Sequence, residues 1–105
     1  MTAVEKEVLD KFKSLLLQRV GIQSLVLFGS RARGDATLYS DMDVLVVVDE
    51  LDEEIQSYIS NSAWQAGFDH GIVVVPVVFT REEWEDGPER SSLLAETVRH
   101  EGIPL

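Results

Sequence analysis

A short segment in the first half of the chain contains the residue types that proteins use to bind phosphate and divalent metal ions. Gly29 and Ser30 follow an apolar run, and ten residues later Asp41 and Asp43 flank a methionine. Gly29 has no Cβ, so a ligand can approach its backbone closely. Ser30 stands where a helix could begin, and free N–H groups there attract anions. Carboxylates at alternate positions of a strand point to one face, where their oxygens suit Mg²⁺.

Other polar residues between these two pairs have more than one interpretation. Arg31 and Arg33 offer charge-assisted donors to a phosphate, or they are surface arginines on a short helical turn. Ser40 is a candidate nucleotide-binding residue that supports the direct contacts, or an N-cap. Tyr39 could stack on a nucleobase or pack on its own turn. Together the segment predicts a phosphate cradle beside a metal pair, which is the equipment for phosphoryl or nucleotidyl transfer.

Three other phosphate or metal motifs do not fit this segment. A P-loop has Lys-Ser or Lys-Thr after its second glycine, where this chain has Asp-Ala. The nucleophilic aspartate of a haloacid-dehalogenase-like phosphatase lies at the C-terminal end of a buried strand, whereas Asp41 and Asp43 precede the run Val44–Val48. An EF-hand needs a central Gly and a later Glu, and Val-Leu-Val follows Asp43.

The elements that would position these residues can be read from hydrophobic periodicity. Apolar runs predict three strands, at Ser24–Phe28, Met42–Val48 and Ile72–Phe79. Pro76 cannot donate to a ladder, so the third strand is expected at an edge or with a bulge. Helices are predicted over residues 3–19, after the acidic turn 49–54, from Arg81, and in a last segment that runs to about His100. Strands alternating with helices indicate a two- or three-layer α/β (α+β) arrangement around one sheet.

The caps and the apolar positions of these helices support the same boundaries. Thr2 is a candidate cap for the first helix, and Thr80 with Glu83 forms a capping box that predicts the helix start at Arg81. In the last helix the positions expected to face the core are Leu93, Leu94, Thr97 and Val98.

Length and composition limit the class of protein. The chain has 105 residues and a net charge of −10, which predicts one domain over residues 1–105. Absence of cysteine excludes disulfide frameworks, thiolate nucleophiles and zinc ribbons. No apolar run is long enough for a membrane span, so a cytoplasmic protein without membrane contact is expected. Residues 36–105 carry fifteen acidic and three basic residues, which disfavours polynucleotide binding.

The spacing Gly29-Ser30-(ten residues)-Asp41-Met42-Asp43 resembles the GS-x10-DxD signature of the DNA polymerase β-like nucleotidyltransferase superfamily. The chain looks most like the minimal nucleotidyltransferases, some of which are antitoxins paired with HEPN-domain toxins. This resemblance implies a small mixed β-sheet with helices packed on one side of it. It further implies that Gly29 and Ser30 bind the triphosphate of an NTP, and that Asp41 and Asp43 are the catalytic carboxylates that hold one or two Mg²⁺ ions.

The family usually has a third carboxylate on the following strand, and this chain departs from that pattern. Ile72–Phe79 contains no acidic residue, and Val75 or a neighbour stands at the expected position. Asp69 precedes the strand and is the remaining candidate. The resemblance implies transfer of NMP from an NTP to a hydroxyl acceptor, with AMP from ATP as the expected case and a HEPN-type helical protein as the candidate partner. The alternative is a catalytically weak or inactive binding module that acts as an antitoxin or regulatory subunit.

Overall fold

The computed structural model describes residues 1–105. The helices are α1 (Ala3–Leu17), α2 (Ser30–Arg33), α3 (Glu53–Phe68), α4 (Arg81–Asp86) and α5 (Leu93–Glu101), and a 3-10 helix spans Pro88–Ser91. The strands are β1 (Ile22–Phe28), β2 (Met42–Val48), β3 (Val74–Thr80) and β4 (Ile103–Pro104). These elements confirm the predicted α/β class and three predicted strands, while the two-residue β4 was not predicted.

The four strands form one mixed sheet in the order β3-β2-β1-β4. β1 is antiparallel to both β2 and β4, and β2 is parallel to β3. β3 lies at an edge of the sheet, as the proline at position 76 predicted. The antiparallel pairing of β1 with β2 places Phe28 opposite Asp43. The end of β1 and the start of β2 therefore meet at one side of the sheet.

Both faces of the sheet are covered, so the arrangement has three layers, and the expectation that helices pack on one side only is wrong. On one face α1 and α3 pack against the sheet around Phe12, Leu27 and Ile59, each of which is fully buried. On the other face a smaller cluster joins Phe28, Leu45, Val47 and Val98. β2 supplies both clusters because its successive side chains alternate between faces. The sequence of β2 is apolar at nearly every position because both of its faces are buried.

The starts of α1 and α4 are set by short-range hydrogen bonds. Thr2 and Glu5 form a capping box at the start of α1, and Thr80 and Glu83 form one at the start of α4, which begins at Arg81 as predicted. The prediction for α5 was partly wrong. Leu93 is 79% exposed, and Ala95 is buried in its place. None of the helices combines the length and the apolar character that crossing a bilayer requires.

Candidate functional site

The sheet topology brings the two halves of the sequence motif together. β1 ends at Phe28, and Gly29 and Ser30 turn the chain into the four-residue α2. β2 begins beside this point, with Asp43 paired to Phe28. Asp41 and Asp43 are four and two residues before Leu45, and side chains an even number of residues apart along a strand point to the same face. Both carboxylates therefore lie on the face of the sheet that carries α5. The predicted cradle and the predicted carboxylates are thus neighbours in space, although at least ten residues separate them in sequence.

Gly29 has a backbone conformation and a close neighbour that a side chain would not allow. Its φ is 79° and its ψ is −158°, a region that is essentially restricted to glycine. A Cβ built on Gly29 would lie 2.5 Å from Oδ2 of Asp43. Glycine is therefore required at position 29 for two reasons: the backbone turns there from β1 into α2, and a side chain would collide with the Asp43 carboxylate.

Asp41 and Asp43 place two negative charges together at the start of β2. Burial raises the pKa of Asp43, the nearby Asp41 carboxylate raises it further, and the Arg33 guanidinium opposes both effects. Two adjacent carboxylates whose negative charges repel fit a divalent cation, because the cation would remove the repulsion. The residues present therefore suit the metal that the sequence predicted.

Arg31 differs from both of its sequence interpretations, as a phosphate donor and as a surface arginine. Its side chain is only 8% exposed, and its Nη1 lies 3.1 Å from Oε2 of Glu5 on α1. Its Nε and Nη2 donate to the carbonyl oxygen of Ser40 at 3.1 and 2.8 Å. The short helical turn itself was predicted, but one of its arginines points into the molecule. The guanidinium therefore holds protein groups.

Arg33, the second arginine of α2, remains accessible beside the cradle. It is about half exposed, and it pairs with Asp35 at 3.2 Å and with Glu101 at 3.1 Å. Glu101 first and Asp35 second raise the pKa of Arg33 through hydrogen bonds. The Glu101 carboxylate also accepts a hydrogen bond of 3.3 Å from the Gly29 N–H. One carboxylate from α5 thus engages two donors that were predicted to face a phosphate.

The loop between α2 and β2 carries the other predicted site residues. The Ser40 hydroxyl accepts from the Thr37 N–H at 2.9 Å, so it stabilises the loop, while its carbonyl binds Arg31. Tyr39 is 94% exposed and does not pack on its own turn. That alternative for Tyr39 is wrong, and stacking on a nucleobase stays a prediction.

No third carboxylate, histidine or cysteine joins Asp41 and Asp43 in a group that could hold a metal ion. β2 and β3 are in parallel register with Asp43 beside Val75, so an apolar side chain stands next to the pair on the same face. Asp69 caps α3 and lies 3.8 Å from Lys11 of α1. Because β3 begins at Val74, later than predicted, Asp69 is five residues away from the strand.

Two residues of the site were not predicted. Glu5 is buried against Arg31, and its signal was the Thr-x-x-Glu pattern at the start of α1, which marks a capping box. Glu101 has no comparable local signal. Its contact with Arg33 spans 68 positions and depends on how α5 returns to the sheet.

Comparison with known proteins defines the class of the chain. A family model described as "Nucleotidyltransferase domain" matches residues 6–100. The chain therefore belongs to the nucleotidyltransferase domain family, and its predicted resemblance to the minimal nucleotidyltransferases is confirmed.

Curated relatives match over part of their length. "Putative protein adenylyltransferase MJ1379" of Methanocaldococcus jannaschii is 47% identical over 45 residues, which are 43% of this chain and 45% of that protein. A second protein of the same organism and the same description, MJ0128, is 34% identical over 61 residues, which are 53% of this chain and 62% of that protein. The chain thus spans about half the length of the curated relatives it matches.

Two crystal structures share the fold. The first, described as a toxin-antitoxin with AMP-PNP, superposes with a TM-score of 0.64 at 23% identity, over 90% of this chain and 69% of that chain. The second, described as a mutant of the toxin-antitoxin MntA-HpeT, superposes with a TM-score of 0.61 at 25% identity, over 91% of this chain and 69% of that chain. The mixed sheet and its helices are therefore those of the nucleotidyltransferase fold.

Proposed function

We propose that this protein is a Mg²⁺-dependent nucleotidyltransferase that transfers AMP from ATP to a hydroxyl group of a partner protein. The observation that carries the proposal is the juxtaposition of Asp41 and Asp43 with Gly29 and Ser30 in a chain of the nucleotidyltransferase family. The names of the curated relatives support adenylyl transfer to protein. The description of the MntA-HpeT structure supports a toxin as the partner, and a HEPN-type helical protein is the candidate.

The residues have distinct tasks in this proposal. Asp41 and Asp43 would hold Mg²⁺, which supplies charge neutralisation for the triphosphate and for the attacking and leaving oxygens. Gly29 has no side chain to block the phosphates, and its N–H becomes available to them once Glu101 is displaced. The Ser30 hydroxyl offers a further hydrogen bond. Arg33 adds a positive charge at the same place once its carboxylate partners yield. Each group binds or orients the nucleotide, as phosphoryl-transfer chemistry requires.

Transfer of ³²P label from ATP to the partner protein tests the reaction directly. We expect purified protein with Mg²⁺ and the helical partner to transfer label from α-³²P-ATP and not from γ-³²P-ATP, because the nucleotidyl group carries the α-phosphorus. Asp41→Asn and Asp43→Asn should abolish labelling. Asp10→Asn serves as the control, because Asp10 is an exposed carboxylate on α1 that pairs with Lys6. Labelling that survives in both site variants would refute the proposal.

A second function is favoured by one observation. Val75 stands beside Asp43, and no third acidic group completes the pair. A missing general base lowers rates by about 10²–10⁴, so the chain alone is expected to bind nucleotide and turn over slowly. In this alternative the protein is a binding module that has the nucleotidyltransferase fold and neutralises its partner by direct contact. Neutralisation of the partner by Asp41→Asn protein, without any labelling, would favour this module over the enzyme.

A further inference from the structure

The ion pair between Arg31 and Glu5 is unusual for its position. Both side chains are 8% exposed, and they join α2 to the first turn of α1. The other oxygen of Glu5 accepts the Thr2 N–H at 2.8 Å within the capping box. Burial raises the pKa of Glu5, but its hydrogen bonds with Thr2 and Arg31 outweigh burial and leave it lowered, so the carboxylate is ionised. The first turn of α1 is thus a fixed anchor for the guanidinium.

The remaining guanidinium donors have a single target. Nε and Nη2 both donate to the carbonyl oxygen of Ser40, at 3.1 and 2.8 Å. The planar fork of arginine allows two parallel donors to reach one acceptor while the third N–H group faces elsewhere, which the single ammonium of lysine cannot reproduce. Ser40 is one peptide bond from Asp41. The network therefore ends at the backbone that carries the first carboxylate of the site.

The loop that carries Ser40 has few other supports. Leu38 and Tyr39 are 87% and 94% exposed, so no large apolar side chain of the loop anchors it to the core. The hydrogen bonds of Thr37 with Ser40 lie within the loop and do not attach it to the sheet. The start of the loop is joined to α2 by the Asp35 N–H, which donates to the Ser30 carbonyl, and the Met42 N–H holds the start of β2 to Val73. The guanidinium is the side chain that joins the end of the loop, immediately before Asp41, to α1.

Stability alone is a weak explanation of such a pair. The cost of desolvating two buried charges offsets most of their attraction, and apolar replacements of similar volume are often equally stable. What an ion pair with directional donors adds is a defined geometry for the groups it binds. Here the bound group is the backbone at the metal-binding carboxylates.

We propose that Arg31, held by Glu5, is a positioning residue that sets the place of Asp41 and thereby the affinity for a metal–nucleotide complex. This inference rests on the proposed function, because it takes Asp41 and Asp43 as metal ligands. It assigns Arg31 a role through the protein backbone, while Arg33 is the arginine that faces the nucleotide.

A double-mutant cycle tests this role with Mn²⁺–ATP as the probe. Calorimetric affinities are measured for the wild type, Arg31→Lys, Asp41→Asn and the double variant, at a temperature where circular dichroism shows each to be folded. We expect Arg31→Lys to weaken binding by about 10–100-fold, the usual effect of losing a group that orients a metal ligand. The double variant should be no weaker than Asp41→Asn, because Arg31 acts through Asp41.

The matched control is Arg81→Lys, which changes an exposed arginine–glutamate pair on α4 at 3.2 Å and should leave Mn²⁺–ATP affinity unchanged. If Arg31→Lys does not fold, Glu5→Gln can be used instead, because it disturbs the same network from α1. We expect Glu5→Gln to weaken Mn²⁺–ATP binding to the same extent, and to have no effect in a protein that already carries Asp41→Asn.

Two results would overturn the inference while leaving the proposed function intact. Losses that add in the double variant would mean that Arg31 affects binding independently of Asp41. Wild-type affinity in a folded Arg31→Lys protein would mean that the network only stabilises the fold. A wild type that binds Mn²⁺–ATP no better than Asp41→Asn would instead refute the metal site itself, and with it both proposals.

Discussion

Gly29 combines a backbone conformation that disfavours side chains with a carboxylate 2.5 Å from where a Cβ would be. We expect Gly29→Ala to lower the free energy of unfolding by about 1–3 kcal/mol through backbone strain. It should also weaken Mn²⁺–ATP binding, because the methyl group must displace Asp43. Thermal unfolding and calorimetry measure the two effects separately.

Gly34 provides the matched control for this prediction. Its φ is 83°, but a Cβ there would have nothing within 4 Å. Gly34→Ala should therefore lower stability without weakening nucleotide binding. Equal losses of binding in the two variants would show that Gly29 matters only for the turn.

The acid side of the stability curve depends on Glu5. Its pKa is lowered in the folded protein, despite burial, by hydrogen bonds with Thr2 and Arg31. A lowered pKa means that the folded state favours the ionised form. The resulting stabilisation is present above the unfolded pKa near 4.5 and is lost as the pH falls through the folded pKa.

Glu5→Gln removes this titration and leaves Arg31 without its charged partner. The variant should be less stable at pH 7 by roughly 1–3 kcal/mol, and the difference from the wild type should shrink below about pH 4. Urea unfolding at a series of pH values measures that difference. A difference that stays constant down to pH 3 would contradict the prediction.

At the scale of elements, the register between β2 and β3 decides where a missing carboxylate would belong. Val75 is paired with Asp43 on the face that carries the site. If nucleotidyl transfer by the chain without its partner is slow because the third carboxylate is missing, Val75→Asp should raise the transfer rate at least tenfold. General bases contribute about 10²–10⁴ to such rates. The added charge should also lower the melting temperature in the absence of metal, as a third acidic neighbour.

Val73→Asp is the control for that substitution. Val73 is two residues away on the same face, lies before the strand and is 62% exposed. The register places Val73 beside Asp41 and Val75 beside Asp43, so Val73→Asp should raise the transfer rate less than Val75→Asp does. Equal rate gains in the two variants would show that added charge alone, without the register, is responsible. A wild type that already works at full speed without a partner would show that the strand carboxylate is dispensable.

The end of α5 gives a prediction about nucleotide affinity. Glu101 lies 3.1 Å from Arg33 and 3.3 Å from the Gly29 nitrogen. A triphosphate that uses these donors must displace the carboxylate. Glu101→Gln should therefore raise Mn²⁺–ATP affinity by up to about fivefold, because the free energy that an accessible ion pair contributes corresponds to a change of that size in the dissociation constant. Glu96→Gln, on the exposed face of the same helix, should have no effect. Weaker binding in Glu101→Gln would mean that this carboxylate assists the site.

At the scale of the whole molecule, the sequence predicted what depends on short-range patterns. The strand Met42–Val48 and the helix start at Arg81 have strong local signals, namely an apolar run and a capping box. The third strand, predicted at Ile72–Phe79, was also found from its apolar run, although its observed bounds are Val74–Thr80. The spacing from Gly29 to Asp43 identified the site for the same reason.

Contacts between distant segments were beyond such patterns. Arg31 is buried because α1 packs across the sheet and presents Glu5 to it. Glu101 reaches the cradle because β4 pairs with β1 and draws the end of α5 beside it. β4 has two residues, too few to show a period of two. Local periodicity carries no information about which elements meet.

Pro76 has a consequence for the behaviour of the protein at high concentration. The Val73 carbonyl faces β2, where it accepts from Met42 at 2.8 Å, so the polar groups of alternate residues, Val74, Pro76 and Val78, face outward along the open edge. Proline lacks an N–H, and the row of donors that a foreign strand would pair with is interrupted at its middle. Pro76→Val would restore the row beside exposed apolar side chains, and light scattering of concentrated samples should then reveal edge-to-edge aggregation that the natural chain resists.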